Sequence, residues 1–166
     1  MQFFTSKTIL YARVVFLFTI CYFAAVNPGY LLGSHFLLLL GQAMELPMIL
    51  PVIETDGDSV FYGIISLLFG LQAVGDLIPL LAENVDYFET IVPTRLTIFF
   101  FLAAYAYISK SLTFGNNAVF VYSFFEVWFN FLIFNNLRDE KFYRLKHFVE
   151  KHGDQIQPSA DVIVES

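Results

Sequence analysis

The sequence predicts an all-α membrane protein, a polytopic bundle of four transmembrane helices, or of five if one interrupted segment also crosses. The 166 residues are 57% hydrophobic and only 14% charged, whereas soluble domains average roughly 45–50% apolar and 25% charged residues. A soluble chain of this size could not bury so much apolar surface, because about a third of its surface stays exposed. Several apolar stretches also reach the ~20 residues that a helix needs to cross the hydrocarbon core.

Four stretches meet this length requirement, and turn signals separate them. They lie at residues 9–26, 60–82, 94–112 and 117–137. Acidic loops are expected at 52–59 and 83–93, with Pro93 suited to the first turn of the helix that follows. Gly115-Asn116-Asn117 is a tight link. The last two spans should therefore form an antiparallel hairpin.

A fifth stretch, residues 31–50, is long enough to span but is interrupted. It contains Gln42 and Glu45, and Pro47 removes a backbone donor near its end. We interpret it as a partial helix that enters the membrane or lies at its surface. Polar groups on a broken helix at membrane depth usually line a cavity or are buried in protein. Gln42 and Glu45 are therefore candidate intramembrane polar residues.

The chain after the last span is basic. Lysines and arginines from Arg138 to Lys151 place the C-terminus in the cytosol by the positive-inside rule. Residues 138–152 have apolar residues at helical spacing between charges. They form either a basic amphipathic helix on the cytosolic leaflet or a simple extension of the last span. We expect a bundle over 1–137, this helix over 138–152, and a disordered tail over 153–166.

Glu126 lies almost at the centre of the last span. A carboxyl group there is expensive in hydrocarbon and needs a partner, a proton or a cavity. Asn130 lies four residues further on, hence on the same helical face. The functional interpretation is a proton relay or an ion or substrate ligand. The alternative, which we favour, is an interhelical hydrogen bond worth about 0.6–2 kcal/mol in lipid.

A second polar pair, Gln72 and Asp76, is also spaced by four residues. Arg95 enters the next helix from the same side, so an Asp76–Arg95 ion pair across the hairpin is geometrically reasonable. Arg13 in the first span is a competing partner. Such a paired intramembrane carboxylate is more often structural than catalytic.

Small residues mark a third feature of the same span. Gly63, Ser66 and Gly70 are spaced to line one helical face, which lets a second helix approach closely. We predict that this packing face lies roughly opposite Gln72 and Asp76. The helix would then occupy the middle of the bundle or present one face to another protein.

The sequence lacks the residues that several classes of function require. The formal net charge of −6 argues against nucleic-acid binding, which needs a basic patch. The sequence has no Gly-rich phosphate loop, no Cys/His metal spacing and no Gly-x-Ser-x-Gly nucleophile motif. We therefore expect no catalytic residues, no cofactor and no metal site.

Seven strings, in order along the chain, carry a family resemblance: RVVFLFTI, QAMELP, DLIPLL, ENVDYF, VPTRLTIFF, EVWFNF and RDEK. The chain resembles the fungal increased-loss-of-mitochondrial-DNA family, small multi-pass proteins of the endoplasmic reticulum membrane. The resemblance implies residence in that membrane and an indirect link to mitochondrial DNA maintenance. It also implies a suggested role in ion homeostasis, with potassium as the suggested ion. It supplies no catalytic residues.

These observations leave three functions open. The leading one is a non-enzymatic membrane subunit or assembly or homeostasis factor, whose partners are the lipid bilayer and another membrane protein or a second copy of itself. The alternative is a channel or transporter component, in which Glu126 or Glu45 lines a pathway. The third is a lipid-modifying enzyme, which would need Asp76 and Glu126 to converge on one cavity.

Overall fold

The computed structural model describes residues 5–47, 56–109 and 113–156, with side chains described at 60–109 and 113–151 in the last two ranges. These ranges contain no strand, so the predicted all-α class is confirmed. The helices are α1 (Ser6–Val26), α2 (Pro28–Leu32), α3 (His35–Ala43), α4 (Asp56–Leu81), α5 (Val85–Ile108) and α6 (Asn117–Ile156).

Four of these helices are long and apolar enough to cross a membrane. They contribute the candidate spans Ser6–Val26, Val60–Leu81, Val85–Ile108 and Asn117–Lys151, which confirms the four-span prediction. The interrupted segment forms part of α2 and the nine-residue α3. Nine residues extend only about 14 Å, too little to cross, and residues 48–50 lie outside the described residues.

The four spans form two antiparallel pairs. α1 packs on α4, and α5 packs on α6, while α1 and α3 make further contacts with α6. One apolar core, which includes Leu10, Leu80 and Ile133, lies towards the N-terminal end of α1. A second core, which includes Leu46, Ala106 and Val121, lies towards the start of α6. By position along α6, Glu126 falls between the two cores.

The link between α4 and α5 is shorter than predicted. The acidic loop expected over 83–93 is reduced to three residues, because α5 already begins at Val85. The Asn84 side chain caps it by accepting a hydrogen bond from the Tyr87 backbone N–H at 3.1 Å. The placement of Pro93 in the first turn is therefore wrong: it lies inside α5. Transmembrane helices tolerate such a proline.

The other predicted acidic loop, 52–59, is only partly described. The backbone is helical from Asp56 onward as the start of α4, and residues 52–55 lie outside the described residues. The predicted hairpin between the last two spans is present, since α5 and α6 pack along each other.

The last helix continues far beyond its apolar part. α6 runs for 40 residues without a break, so residues 138–152 extend the last span, which was one of the two alternatives. The helix also includes residues 153–156, where a disordered tail was predicted, and residues 157–166 lie outside the described residues. We call residues 138–156 the α6 extension. It adds about 28 Å to the helix.

Two ion pairs with α5 and two hydrogen bonds from the first residue of α1 hold the α6 extension to the bundle. Glu89 of α5 pairs with Lys141 at 2.6 Å and with Arg144 at 2.7 Å. At the start of α1, the Ser6 backbone N–H and hydroxyl donate to the Glu140 carboxylate at 2.9 and 2.7 Å. Beyond these contacts the side chains of the extension are exposed as far as Lys151, the last one described.

The predicted packing face of α4 is only partly correct. Ser66 Oγ donates to the Cys21 carbonyl of α1 at 2.7 Å, and a Cβ at Gly70 would lie 3.2 Å from Cys21 Sγ. Within the described part of the chain, nothing lies within 4 Å of the corresponding position at Gly63. Gly63 is therefore not in the helix contact.

The prediction that α4 has two opposite contact faces and lies mid-bundle is wrong. Among its described side chains, those from residue 60 onward, the buried ones are Ser66, Ala73, Asp76 and Leu80. Their spacings of seven, three and four residues form a single stripe. That stripe faces α1, while α4 makes few contacts with α5. Small and acidic residues thus share one face because both serve the contact with α1.

Candidate functional site

Four charged side chains, one from each candidate span, meet inside the bundle: Arg13 of α1, Asp76 of α4, Arg95 of α5 and Glu126 of α6. We call these four residues the charge cluster. The side chains of Arg13, Asp76 and Glu126 are at most 1% exposed, and that of Arg95 is 18% exposed. The cluster contains two cations and two anions, so its formal charge is zero.

Glu126 is surrounded by hydrogen-bond donors. Arg13 Nε donates to Oε2 at 2.9 Å, and Arg13 Nη2 donates to Oε1 at 3.0 Å. The Tyr122 hydroxyl donates to Oε1 at 2.8 Å, and Asn130 Nδ2 donates to Oε2 at 3.0 Å. Tyr122 and Asn130 lie four residues before and after Glu126, hence on the same face. An acceptor with donors on both oxygens is the arrangement of an ionised carboxylate.

Asp76 bridges the two arginines. Arg95 Nη1 donates to its Oδ1 at 2.6 Å and to its Oδ2 at 2.9 Å. Arg13 Nη1 donates to Oδ2 from the other side. The predicted Asp76–Arg95 ion pair is therefore present, and Arg13 joins it without replacing it. Arg13 in turn connects both carboxylates through one guanidinium, whose planar fork suits such bridging.

The cluster links the two helix pairs to each other. Arg13 and Asp76 belong to the α1/α4 pair, whereas Arg95 and Glu126 belong to the α5/α6 pair. Arg13–Glu126 connects α1 to α6, and Arg95–Asp76 connects α5 to α4. Each of these two ion pairs therefore crosses the boundary between the helix pairs.

The contact between α1 and α4 sets the register of the cluster. Cys21 lies against Ser66 and Gly70, and Lys7 pairs with Glu83 at 2.7 Å at the far end. The two helices are antiparallel. Arg13 lies eight residues before Cys21 in α1, and Asp76 lies ten residues after Ser66 in α4, so the two side chains lie at the same level. The small residues thus position the charges.

Asn130 keeps one unpaired atom beside the carboxylate. Its Nδ2 also donates to the Glu126 carbonyl at 2.7 Å, so both amide hydrogens have acceptors. Within the described ranges, no donor reaches its buried Oδ1. This oxygen is a free acceptor at the edge of the cluster.

The remaining predicted polar residues lie outside the cluster. Gln42 and Glu45 are exposed at the end of α3, and Glu45 has a φ of 53°, which is left-handed backbone. Gln72 is half-buried and interacts with the Tyr122 hydroxyl. The predictions missed Tyr122 itself. Its spacing of four residues before Glu126 was the available signal.

The donor set suits charge neutralisation better than metal binding. Among the described residues, no three His, Cys, Asp or Glu side chains lie close enough together to hold a metal ion. Arginine stays protonated in proteins, so the two guanidiniums hold their charge throughout. The arrangement can bind four helices together by balanced charge in a low-dielectric interior.

A family model described as "Increased loss of mitochondrial DNA protein 1" matches residues 4–117. The chain belongs to the Ilm1 family. Among its relatives, it is 43% identical over 157 residues to Protein ILM1 of Saccharomyces cerevisiae, covering 92% of this chain and 75% of that protein. It is 27% identical over 141 residues to Protein ilm1 of Schizosaccharomyces pombe, covering 81% of this chain and 86% of that protein.

Membership in the Ilm1 family confirms the resemblance carried by the sequence strings. The stretch that matches the family model includes Arg13, Asp76 and Arg95, and ends before Glu126. No solved structure matches the chain. The family description links these proteins to loss of mitochondrial DNA, and the four candidate spans make this chain a multi-pass membrane protein.

Proposed function

We propose that this chain is a non-enzymatic subunit or assembly and homeostasis factor of the endoplasmic reticulum membrane. The observation that supports this most is the pairing of both intramembrane carboxylates, Asp76 and Glu126, with arginines. A catalytic acid or base must reach a substrate proton, and these carboxylates already accept hydrogen bonds on every oxygen. In this proposal, loss of mitochondrial DNA in the family is a downstream consequence.

The orientation proposed for the chain has its C-terminus in the cytosol. Lys7 at the start of α1 and Arg138, Lys141 and Arg144 of the α6 extension all lie at one end of the bundle, because Ser6 contacts Glu140. Lysines and arginines are retained on the cytosolic side of membranes. Both the N-terminal end of α1 and the α6 extension would then be cytosolic.

The α6 extension is the proposed contact for a partner protein or a second copy. Phe142, Leu145 and Val149 are 56–66% exposed there. They lie five to twelve residues past Leu137, about 8–18 Å beyond the apolar span. Large apolar side chains at that distance leave the hydrocarbon, and an exposed apolar stripe outside it indicates an interaction surface.

Copurification tests this proposal. The tagged chain is purified from native membranes in mild detergent, and the proteins bound to it are quantified by mass spectrometry. We expect a partner in near-equal amount, which Leu145→Glu removes while the protein level stays unchanged. Lys151→Glu is the matched control, because Lys151 is also exposed but lies nine residues from Phe142, on the opposite face of the helix. The proposal fails if no protein or second copy is bound stoichiometrically to the unsubstituted chain.

The alternative, an ion channel or transporter component, is supported by the depth of Glu126 alone. It lies nine residues into α6, about 14 Å from the helix start and so near mid-membrane. The purified chain in liposomes would then carry potassium flux, and Glu126→Gln would abolish it. A homo-oligomer that conducts in this way would replace the subunit proposal.

A further inference from the structure

An apolar cavity of about 510 Å³ lies at the end of the bundle opposite the basic residues. Its walls come from all four spans, with Phe16 and Ala24 of α1, Ile65 of α4, Leu102 of α5 and Ala118 of α6 among its lining residues. The short helices α2 and α3 close one side. Cavities of about 300–1,000 Å³ are typical of small-molecule sites.

The cavity extends along the membrane normal for most of one leaflet. On α1 its lining runs from Phe16 to Ala24, which is eight residues or about 12 Å. On α6 it runs from Ala118 to Phe125, about 10 Å. Half of the hydrocarbon core is about 15 Å thick. The deep end therefore lies near mid-membrane, beside Glu126, and the other end lies at the surface under α2 and α3.

The lining offers almost nothing to a polar ligand. Among the lining side chains that the structure describes, only those of Ser34, Tyr62 and Tyr122 carry polar atoms, and none is charged. The Tyr122 hydroxyl is already committed to Glu126. An ion or a sugar would lose its hydration there without gaining partners, so the occupant must be apolar along the whole length of the cavity.

The deep part of the cavity is narrowed by an aromatic contact between α4 and α6, since the ring centroids of Phe69 and Tyr122 are 5.1 Å apart. The wall formed by α3 is also held closely: a Cβ at Gly41 would lie 2.6 Å from Asn117 Cβ of α6, and the Phe36 and Phe125 rings are 5.5 Å apart. A narrow, extended, apolar ligand fits these limits.

We propose that this cavity binds one acyl chain of a glycerophospholipid from the leaflet opposite the basic residues. The chain end lies near Tyr122, and the headgroup lies at the surface beside α2 and α3. The bilayer itself supplies this ligand. The site is separate from the proposed contact on the α6 extension, so a failed copurification leaves it untouched.

Photolabelling tests the proposal. The full chain is placed in vesicles of phosphatidylcholine that include a phosphatidylcholine with a diazirine in one acyl chain, and adducts are mapped by mass spectrometry. We expect adducts on half-buried lining residues such as Phe69 and Leu102 that saturate as the probe fraction rises. Adducts on outward residues such as Leu67 and Phe101, which are exposed, should rise in proportion to the probe.

Substitutions that fill the cavity provide the matched comparison. Ala118→Phe should remove the saturable adducts. If this variant fails to fold, Leu102→Trp fills the same space from α5. Ala25→Phe is the control, because Ala25 is exposed and lies next to the lining residue Ala24. The proposal is overturned if adducts on lining residues do not saturate or if Ala118→Phe leaves them unchanged.

Discussion

Arg13 of α1 donates two hydrogen bonds to Glu126 of α6, at 2.9 and 3.0 Å, while its remaining terminal nitrogen donates to Asp76 of α4. One guanidinium therefore contacts two carboxylates from different helix pairs. Removing one partner of a buried ion pair leaves an uncompensated charge, which typically costs about 3–5 kcal/mol. The charge cluster therefore holds the α1/α4 and α5/α6 pairs together.

The first prediction concerns Arg13. Arg13→Gln should destabilise the folded protein by about 3–5 kcal/mol, because it leaves two carboxylates buried with only Arg95 between them. Thermal unfolding in detergent, followed by fluorescence-detected gel filtration, measures this. Lys7→Gln is the control, since its ion pair with Glu83 is exposed to solvent and should contribute little to stability. Equal losses for the two variants would contradict the prediction.

The second prediction concerns the contact between α1 and α4. Gly70→Leu should destabilise the bundle by about 1–3 kcal/mol, because a Cβ there already lies 3.2 Å from Cys21 Sγ and a larger side chain must separate the helices. Gly63→Leu should change stability by less than about 0.5 kcal/mol. The same thermal assay compares them. A tolerated Gly70→Leu would show that the helices do not pack at this point.

The third prediction concerns the α6 extension. Glu89→Gln should weaken its ion pairs to Lys141 and Arg144 and loosen this part of the helix. Amide hydrogen exchange over 141–151 should become faster, because exchange reports local opening. Glu83→Gln lies at the same end of the bundle and serves as the control. Unchanged exchange in Glu89→Gln would mean that α6 needs no support from α5.

The fourth prediction is a pH dependence at the α4–α5 link. The hydrogen bond and positive charge of Lys7 lower the pKa of Glu83 below its ordinary value. A lowered pKa means that the pair contributes stability above the ordinary value and loses it as pH falls through the lowered value. The small stability difference between the unsubstituted chain and Glu83→Gln should therefore vanish in acid. A difference that grows as pH falls would refute it.

Much of the fold could be predicted because lipid imposes simple rules. Apolar length alone identified the spans, and the cost of a buried carboxylate identified Glu126, Asp76 and both arginines as interacting residues. The face of each helix that makes the contact could not be predicted. Ser66 and Asp76 share one stripe because α1 meets both, which depends on the register between two helices and not on one helix alone.

Two further differences have physical causes of the same kind. Pro93 was expected to begin a helix, but α5, capped by Asn84, begins at Val85, eight residues earlier. The polar residues Gln42 and Glu45 suggested an intramembrane cavity, yet Gln42 in the last turn of α3 and Glu45 just beyond the helix are both exposed. The cavity that does form is apolar, and its lining residues look like ordinary lipid-facing residues in the sequence.

A double-mutant cycle on Arg13 and Glu126 measures whether this ion pair couples the two helix pairs. The unfolding free energies of the unsubstituted chain, Arg13→Gln, Glu126→Gln and the double variant are measured in one detergent. We expect the double variant to be less destabilised than the sum of the destabilisations of the two single variants, with a coupling energy of about 1–3 kcal/mol. Additive effects, with a coupling energy near zero, would contradict it.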